Sequence, residues 1–225
     1  MSGGVDSSVA AALLLEQGHD VTGVTLRLWG GASDSGCCAV SDTDDARRVA
    51  QQLDIDHFVF NFSDDFEDKV VEPYVKAHAS GLTPNPCIEC NRHLKFDRLL
   101  ERAKILDFDA LATGHHVRLV EHGGRRFLAR GQDAAKDQSY VLYMLDQAQL
   151  SRCIFPLGDK TKTEVRSLAR ELGLRTADKA ESQDVCFITK TEGRRAFLSE
   201  RMELTAGHVV DRDGNALGEI PALQM

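Results

Sequence analysis

An α/β fold is expected, in which a parallel β-sheet carries helices on both faces. Three observations predict it. Helical and strand-like segments alternate through the first half of the chain, which in a compact domain implies parallel strands joined by crossover helices. A glycine-rich turn opens directly into the first helix. The alternation gives way to hairpin signals only after about residue 115, so a border is expected near residue 145.

The elements follow in order. Asp6 to Gln17 reads as a helix, because Val9 and Leu13, and Ala10 and Leu14, repeat at helical spacing before Gly18 stops it. Val21 to Trp29 is rich in Val, Thr and Leu and reads as a strand. Ser41 is expected to cap a helix running to Leu53, with Asp42, Asp44 and Asp45 near its positive end. His57 to Phe62 is a second strand, and Phe66 to Ala79 a third helix. Thr83-Pro84-Asn85-Pro86 is expected to be a rigid loop. Asn91 to Ile105 then reads as a helix and Ala110 to Thr113 as a short strand. Gly123-Gly124 between Val117–Val120 and Phe127–Arg130 signals a hairpin. Thr161 to Leu172 is a helix ended by Gly173, and Asp213-Gly214 marks a second hairpin.

The 225 residues suffice for one domain and part of a second. With 42% hydrophobic and 28% charged residues, the composition is that of a globular protein. No apolar run approaches the roughly 18 residues that span a membrane, and no secretory pattern opens the chain, so a cytoplasmic protein without membrane partners is expected. The net charge of −8 disfavours nonspecific nucleic-acid binding. The stretch from Arg118 to Arg130 nevertheless holds four arginines against Glu121, a local face suited to RNA. Six cysteines in such a protein point to catalysis, metal binding or burial rather than a disulfide framework.

Ser2-Gly3-Gly4-Val5-Asp6-Ser7-Ser8 combines a flexible turn, the free N–H groups of a helix start and three hydroxyls. Together these can cradle phosphate; a capped helix start is the plainer reading. The pattern is neither the common NTPase loop nor the dinucleotide fingerprint, and no lysine lies within it. Cys87-Ile88-Glu89-Cys90 places Cys90 at the start of the helix expected from Asn91, where a thiol pKa falls. Half of a zinc site, completed by two of His93, His115 and Cys186, is the structural alternative. Asp184-Val185-Cys186-Phe187-Ile188 reads as an apolar strand whose polar neighbours Ser182-Gln183-Asp184 mark an end opening onto a site. Cys186 in such a strand can equally be plain core.

The glycine loop resembles the pyrophosphate-binding loop of the PP-loop ATP pyrophosphatases, whose fold is HUP-like. With Asn85-Pro86-Cys87-Ile88-Glu89-Cys90-Asn91-Arg92 and the Cys186 stretch in that order, the chain resembles the bacterial tRNA-uridine 2-sulfurtransferases. Ala112-Thr113-Gly114-His115-His116, Lys136-Asp137-Gln138-Ser139-Tyr140 and Phe155-Pro156-Leu157-Gly158 extend the likeness over nearly the whole chain.

The resemblance implies residues 1–145 as the PP-loop domain, 146–205 as a small helical, mixed domain binding tRNA, and 206–225 as the truncated start of a β-barrel. It implies ATP binding by Met1, Ser2, Gly3, Gly4, Val5, Asp6 and Ser7, with Leu26 and Gly114 near the nucleotide. Asn85, Pro86 and Cys87 would face the target base, and His115, Lys136, Asp137 and Gln138 would contact tRNA. Without the family, Leu26 reads as strand core, Gly114 as a turn and Lys136 to Gln138 as a solvated loop. Cys90 is the implied nucleophile and Cys186 the implied persulfide carrier, supplied by a cysteine desulfurase or a sulfur-relay protein. Magnesium is expected with ATP, and Asp6 is its candidate ligand.

The pattern is departed from at Cys87, where some members carry an acidic residue. Cys87, Cys90 and Cys186 are therefore alternative ligands of a [4Fe-4S] cluster. Only Met1 precedes the loop, so the strand that normally leads into it is expected to be missing. Cys37-Cys38 reads as local packing or a redox annex. Rival readings are another PP-loop adenylating synthetase, which needs no paired cysteines, and a metal-binding RNA module, which needs no glycine loop.

Overall fold

The computed structural model describes residues 1–28, 40–180, 185–188 and 193–225. Trp29, Cys37, Cys38 and Ser182-Gln183-Asp184, each singled out above, lie outside the described residues. The first helix, α1, is Val5–Glu16 and buries Val5, Val9, Leu13 and Leu14. Gly18 follows at φ +82°, the left-handed conformation that ends a helix cheaply only in glycine. Strand β1 (Gly23–Arg27), helix α2 (Val40–Gln52) and strand β2 (His57–Asn61) come next. Ser41 lies inside α2 and is not its cap.

The single parallel sheet expected from the alternation is resolved into two parallel pairs. β1 pairs with β2 from Gly23 opposite His57 to Arg27 opposite Asn61. Strand β3 (Leu111–Ala112) pairs with β6 (Cys153–Ile154). Gly23 N–H and Arg27 C=O bond Asp56 and Phe62 on the β2 side. Strand pleating therefore turns Val24 C=O to the opposite edge, where it accepts from the amino group of Met1. The Thr25 hydroxyl donates to Met1 C=O at 2.7 Å.

Residues 63–79 form one helix, α3, from segments Ser63–Phe66, Glu67–Val71 and Glu72–Ala79, the middle one π-helical. The wider turn accommodates Pro73, which lacks an N–H and would crowd the carbonyl of Lys69 in a regular helix. Pro86–Glu89, π-helical Cys90–Leu99 and Leu100–Ile105 likewise join into α4. This helix begins five residues earlier than the sequence suggested. Pro86 is its first residue, where a missing N–H costs nothing, and the Asn85 side chain caps it by accepting from Cys87 N–H at 3.0 Å.

The hairpin of β4 (Val117–His122) and β5 (Arg125–Arg130) turns at Gly123 and Gly124 as expected, both at positive φ. A 3₁₀ turn (Ser139–Val141) and helix α5 (Gln147–Leu150) precede β6. Helix α6 (Lys162–Glu171) is held by a capping box, the Thr161 hydroxyl with Glu164. Helix α7 (Gly193–Ser199) and the hairpin β7 (Gly207–Val210) and β8 (Ala216–Ile220) complete the chain.

Three apolar clusters hold these elements. Val5, Val9 and Leu13 of α1 pack with Leu157, Val165 and Ala169, so packing, like the β3–β6 pairing, crosses residue 145. The second cluster joins Leu28, α3, the start of α4, residues 185–188 and α7. The third surrounds Phe96, Val117 and Leu142. Val185 to Ile188 forms a turn closed by Ile188 N–H to Val185 C=O at 3.0 Å, not the strand expected there. Among the described residues no helix is long and apolar enough to cross a membrane.

Candidate active site

The loop at residues 2–4 turns on Gly3 at φ +68°, and a methyl group there would collide with the backbone of Asp42 at the start of α2. Gly4 is the N-cap of α1 in extended conformation, and no side chain caps that end. The first N–H groups of the helix are therefore left without a side-chain cap, the arrangement from which an anion site can be built. Ser2 N–H donates to Ser7 Oγ at 3.0 Å, and the Ser7 and Ser8 hydroxyls donate to Gly4 C=O. These hydroxyls shape the loop first, so a phosphate would meet backbone donors before side-chain ones. Gly114 closes the other wall: a methyl group there would lie 2.8 Å from Asp6 C and 2.9 Å from Ser7 N.

Asp6 meets Lys162 and His116. Lys162 Nζ donates to both of its carboxylate oxygens at 2.7 Å, and His116 Nε2 lies 3.3 Å from Oδ1. Burial pushes the Asp6 pKa up, but the hydrogen bonds and charges of His116 and Lys162 outweigh it and hold the carboxyl below its ordinary value. A lysine that the loop sequence lacks is thus delivered from 156 residues away. Neither Lys162 nor His116 stood out as a site residue in the sequence. The capping box at Thr161 locates Lys162 at a helix start, but nothing local reveals its partner.

The magnesium expectation meets no ready-made protein site among the described residues. Both Asp6 oxygens are committed to an ammonium, and the described residues contain no group of three His, Cys, Asp or Glu placed to hold a metal. The residues as placed do not fit a protein-held magnesium. The same holds for zinc and the iron–sulfur alternative. His93 pairs with Glu89 at 3.2 Å, His115 Nδ1 meets Thr113 Oγ1 at 2.7 Å, and Cys87 does not converge with Cys90 and Cys186.

The cysteines divide by environment. Cys87 is the second residue of α4 and exposed. Cys90, placed by its sequence at a helix start, sits one turn in and is 8% exposed. Cys186 is partly buried, and it packs in the same apolar cluster as Cys90, with Leu26, Leu28, Phe66 and Phe187. Two cysteines 96 positions apart thus belong to one apolar cluster, against which Leu26 of β1 also packs. Cys153 is a structural thiol: burial pushes its pKa up to about 12, and Sγ donates to Gln149 C=O.

The residues expected to meet RNA have more internal duties than their sequence suggested. His115 is 8% exposed, packed against Phe96 and Phe155, and presents no surface to RNA in this conformation. Desolvation holds its pKa well below the usual value. Asp137 accepts from Gly131 N–H, Ser139 N–H and the Ser139 hydroxyl, and Gln138 Oε1 accepts from His116 N–H. Both therefore build the wall holding Gly114 to His116, while the neighbouring Lys136 is partly exposed. Asn85 and Pro86 shape the start of α4. A cavity of about 470 Å³ lined by His19, Asp20, Gln51 and Asp56 opens at the amino ends of β1 and β2, the end remote from the loop.

Comparison with known proteins agrees with this geometry. A family model described as the tRNA methyl transferase HUP domain matches residues 1–190. The chain belongs to this family. Within it, the chain is 54% identical over 225 residues to the tRNA-specific 2-thiouridylase MnmA of Herpetosiphon aurantiacus, covering 97% of this chain and 63% of that protein. It is 51% identical over 224 residues to the protein of the same name from Chloroflexus aurantiacus, covering 97% and 62%. The chain therefore spans less than two thirds of the length of these relatives. Among solved structures, the U34-tRNA thiolase NcsA from Methanococcus maripaludis with its [4Fe-4S] cluster superposes with a TM-score of 0.52. At 20% identity, over 89% of this chain and 61% of that one, it supports the α/β HUP fold.

Proposed function

We propose that the protein catalyses ATP-dependent 2-thiolation of a tRNA uridine, the wobble position being the target. The observation that carries this reading is that Cys90 and Cys186 belong to one apolar cluster, against which Leu26 of β1 packs. The relatives named as 2-thiouridylases at 54% and 51% identity support it, and so does a glycine loop built for phosphate on the same β1–α1 scaffold.

The chemistry proceeds in two stages. The backbone N–H groups at the start of α1 hold the ATP phosphates, with Ser2 to Ser7 forming the turn, and Gly114 leaves room for them. Lys162 supplies the positive charge, shared between Asp6 and phosphate. The uridine O2 attacks the α-phosphorus, pyrophosphate leaves, and O2 becomes part of an adenylate. The terminal sulfur of a Cys186 persulfide, loaded by a cysteine desulfurase or a relay protein, then attacks C2 and expels AMP. Cys90 thiolate attacks Cys186 Sγ, releasing the thiolated base and leaving a Cys90–Cys186 disulfide for a cellular reductant. Asn85, Pro86 and exposed Cys87, one turn before Cys90 in the same helix, are assigned to the target base. Lys136 is the member of the Lys136–Gln138 stretch assigned to direct contact with tRNA. Residues 146–205 are assigned to tRNA binding, and the hairpin at 206–225 to the start of a further β-domain.

Two measurements test the assignment. With tRNA and ATP, the protein should release pyrophosphate in proportion to tRNA, and 2-thiouridine should appear once a persulfide donor is added. Cys90→Ser and Cys186→Ser should lose thiolation by at least about 10³-fold, as expected for removing a nucleophile, while pyrophosphate release persists. Undiminished thiolation by either variant overturns the roles given to these sulfurs.

A further inference from the structure

The loop between β5 and the 3₁₀ turn, residues 131–138, touches both partners of Asp6. At one end Asp133 Oδ2 accepts from the backbone N–H of Lys162 at 3.0 Å, at the first position of α6. The Thr161 hydroxyl accepts from Glu164 N–H, so the capping box leaves the Lys162 N–H to Asp133. At the other end Gln138 N–H donates to His116 C=O at 3.0 Å, and Gln138 Oε1 accepts from His116 N–H at 3.0 Å. Gly131 presses on the same residue, since a methyl group there would lie 2.6 Å from His116 O.

The side chains of Lys162 and His116 then converge on one carboxylate, that of Asp6 in the first turn of α1. The His116 ring is buried and its Nδ1 has no hydrogen-bond partner, so Asp6 is the ring's one polar contact among the described residues. Between its ends the loop is closed on itself. Asp133 Oδ1 accepts from Ala135 N–H at 3.1 Å, Asp133 C=O accepts from Lys136 N–H at 3.0 Å, and Asp137 Oδ1 accepts from Gly131 N–H at 2.9 Å. The Lys162 N–H is the first of the influences that hold the Asp133 carboxyl below its ordinary value. Lys136 thus lies between two residues that each grip a partner of Asp6.

We propose that Asp133 is a positioning residue for Lys162, and that through it residues 131–138 couple nucleotide at the glycine loop to an RNA backbone at Lys136. This rests on the places given to ATP and tRNA above. Its physical content is linkage. Without the Asp133 carboxylate the first N–H of α6 has no cap, the start of the helix loosens, and the Lys162 ammonium is no longer held at Asp6. A ligand that favours one arrangement of the loop favours the matching arrangement of Lys162 and His116, and the effect is equal in both directions. The consequence for the reaction is that the phosphates are held most tightly when the accepting uridine is present.

The test compares Asp133→Ala, Asp133→Asn and Gln138→Met with the parent chain. The first readout needs no tRNA. Hydrogen exchange of peptides spanning residues 131–138 is followed with and without an ATP analogue that carries a methylene between its α- and β-phosphates. The second readout is the Kd of that analogue with and without an unmodified tRNA transcript. In the parent the analogue should slow exchange in the loop, and tRNA should tighten the analogue by about fivefold or more. Asp133→Ala should lose the exchange response and bring the two Kd values within about twofold of each other. Asp133→Asn, whose amide oxygen can still accept from the Lys162 N–H, should keep both responses. Parent-like coupling in Asp133→Ala overturns the proposal, as does a parent loop that ignores the analogue. An equal loss of analogue affinity with and without tRNA also overturns it, since that marks a merely structural contact. Should Asp133→Ala not fold, Gln138→Met, which removes the acceptor of the His116 N–H, decides on the same readouts. If the parent loop responds to the analogue but the chain forms no 2-thiouridine with tRNA, ATP and a persulfide donor, the thiolation reading fails while the exchange data still judge the loop.

Discussion

Single residues at the site are legible by type but not by state. The family resemblance implied that His115 contacts tRNA; its ring here packs in the core beside Phe96 and Phe155. Its folded pKa is well below the ordinary 6.5, because burial penalises the charged form. The sign follows from proton counting: below pH 6.5 the unfolded chain takes up a proton that the folded chain refuses, so stability is retained above that pH and lost as pH falls below it. His115→Gln should flatten the acid side of the stability profile between about pH 6.5 and 5, measured as urea midpoints at each pH. An unchanged pH profile would mean that the ring is not held neutral. Asp6 makes the opposite point. Its carboxylate was legible as a polar group in the loop, but the Lys162 that neutralises it was not.

At the scale of elements, the glycines carried most of the readable signal. Gly18, Gly123, Gly124, Gly173 and Gly214 all adopt positive φ at the stops and turns where the sequence placed them. Gly114 is different, since its need is close approach rather than backbone conformation. Its missing side chain lets the residues after β3 touch the first turn of α1. Gly114→Ala should therefore push that turn outward, weakening ATP binding by about tenfold or more, roughly 1.4 kcal/mol, with little change in cysteine alkylation rates. Equilibrium binding of an ATP analogue measures this, and parent-like affinity would show that the wall yields without cost. The proline-bearing helices show where element reading stops. Pro73 and Pro86 both break a regular pattern, yet one is absorbed by a π turn inside α3 and the other starts α4. That shift of five residues moves Cys90 from a helix start to the second turn and puts Cys87 in its place.

At the scale of the whole molecule, the border expected at residue 145 is one of topology, because the core does not respect it. Leu157 is fully buried between α1 and α6, and β6 supplies the partner of β3. Leu157→Ala should cost about 2–5 kcal/mol, and a fragment ending at residue 145 should lack a cooperative unfolding transition. Denaturant melts of both check this; a fragment that unfolds cooperatively would show that α1 needs nothing beyond the border. Taken alone, the sequence determined the alternation of helices and strands, the glycine turn into α1 and both hairpins. All of these are written in spacings of a few residues, where backbone sterics and side-chain periodicity act. Only the tertiary structure decided that Lys162 neutralises Asp6, that Lys179 joins α2, that the parallel strands form two pairs, and that Cys90 and Cys186 share one cluster. Those contacts join residues from 34 to 156 positions apart, and no local preference encodes them. They follow from which apolar faces pack together and which charges that packing leaves side by side.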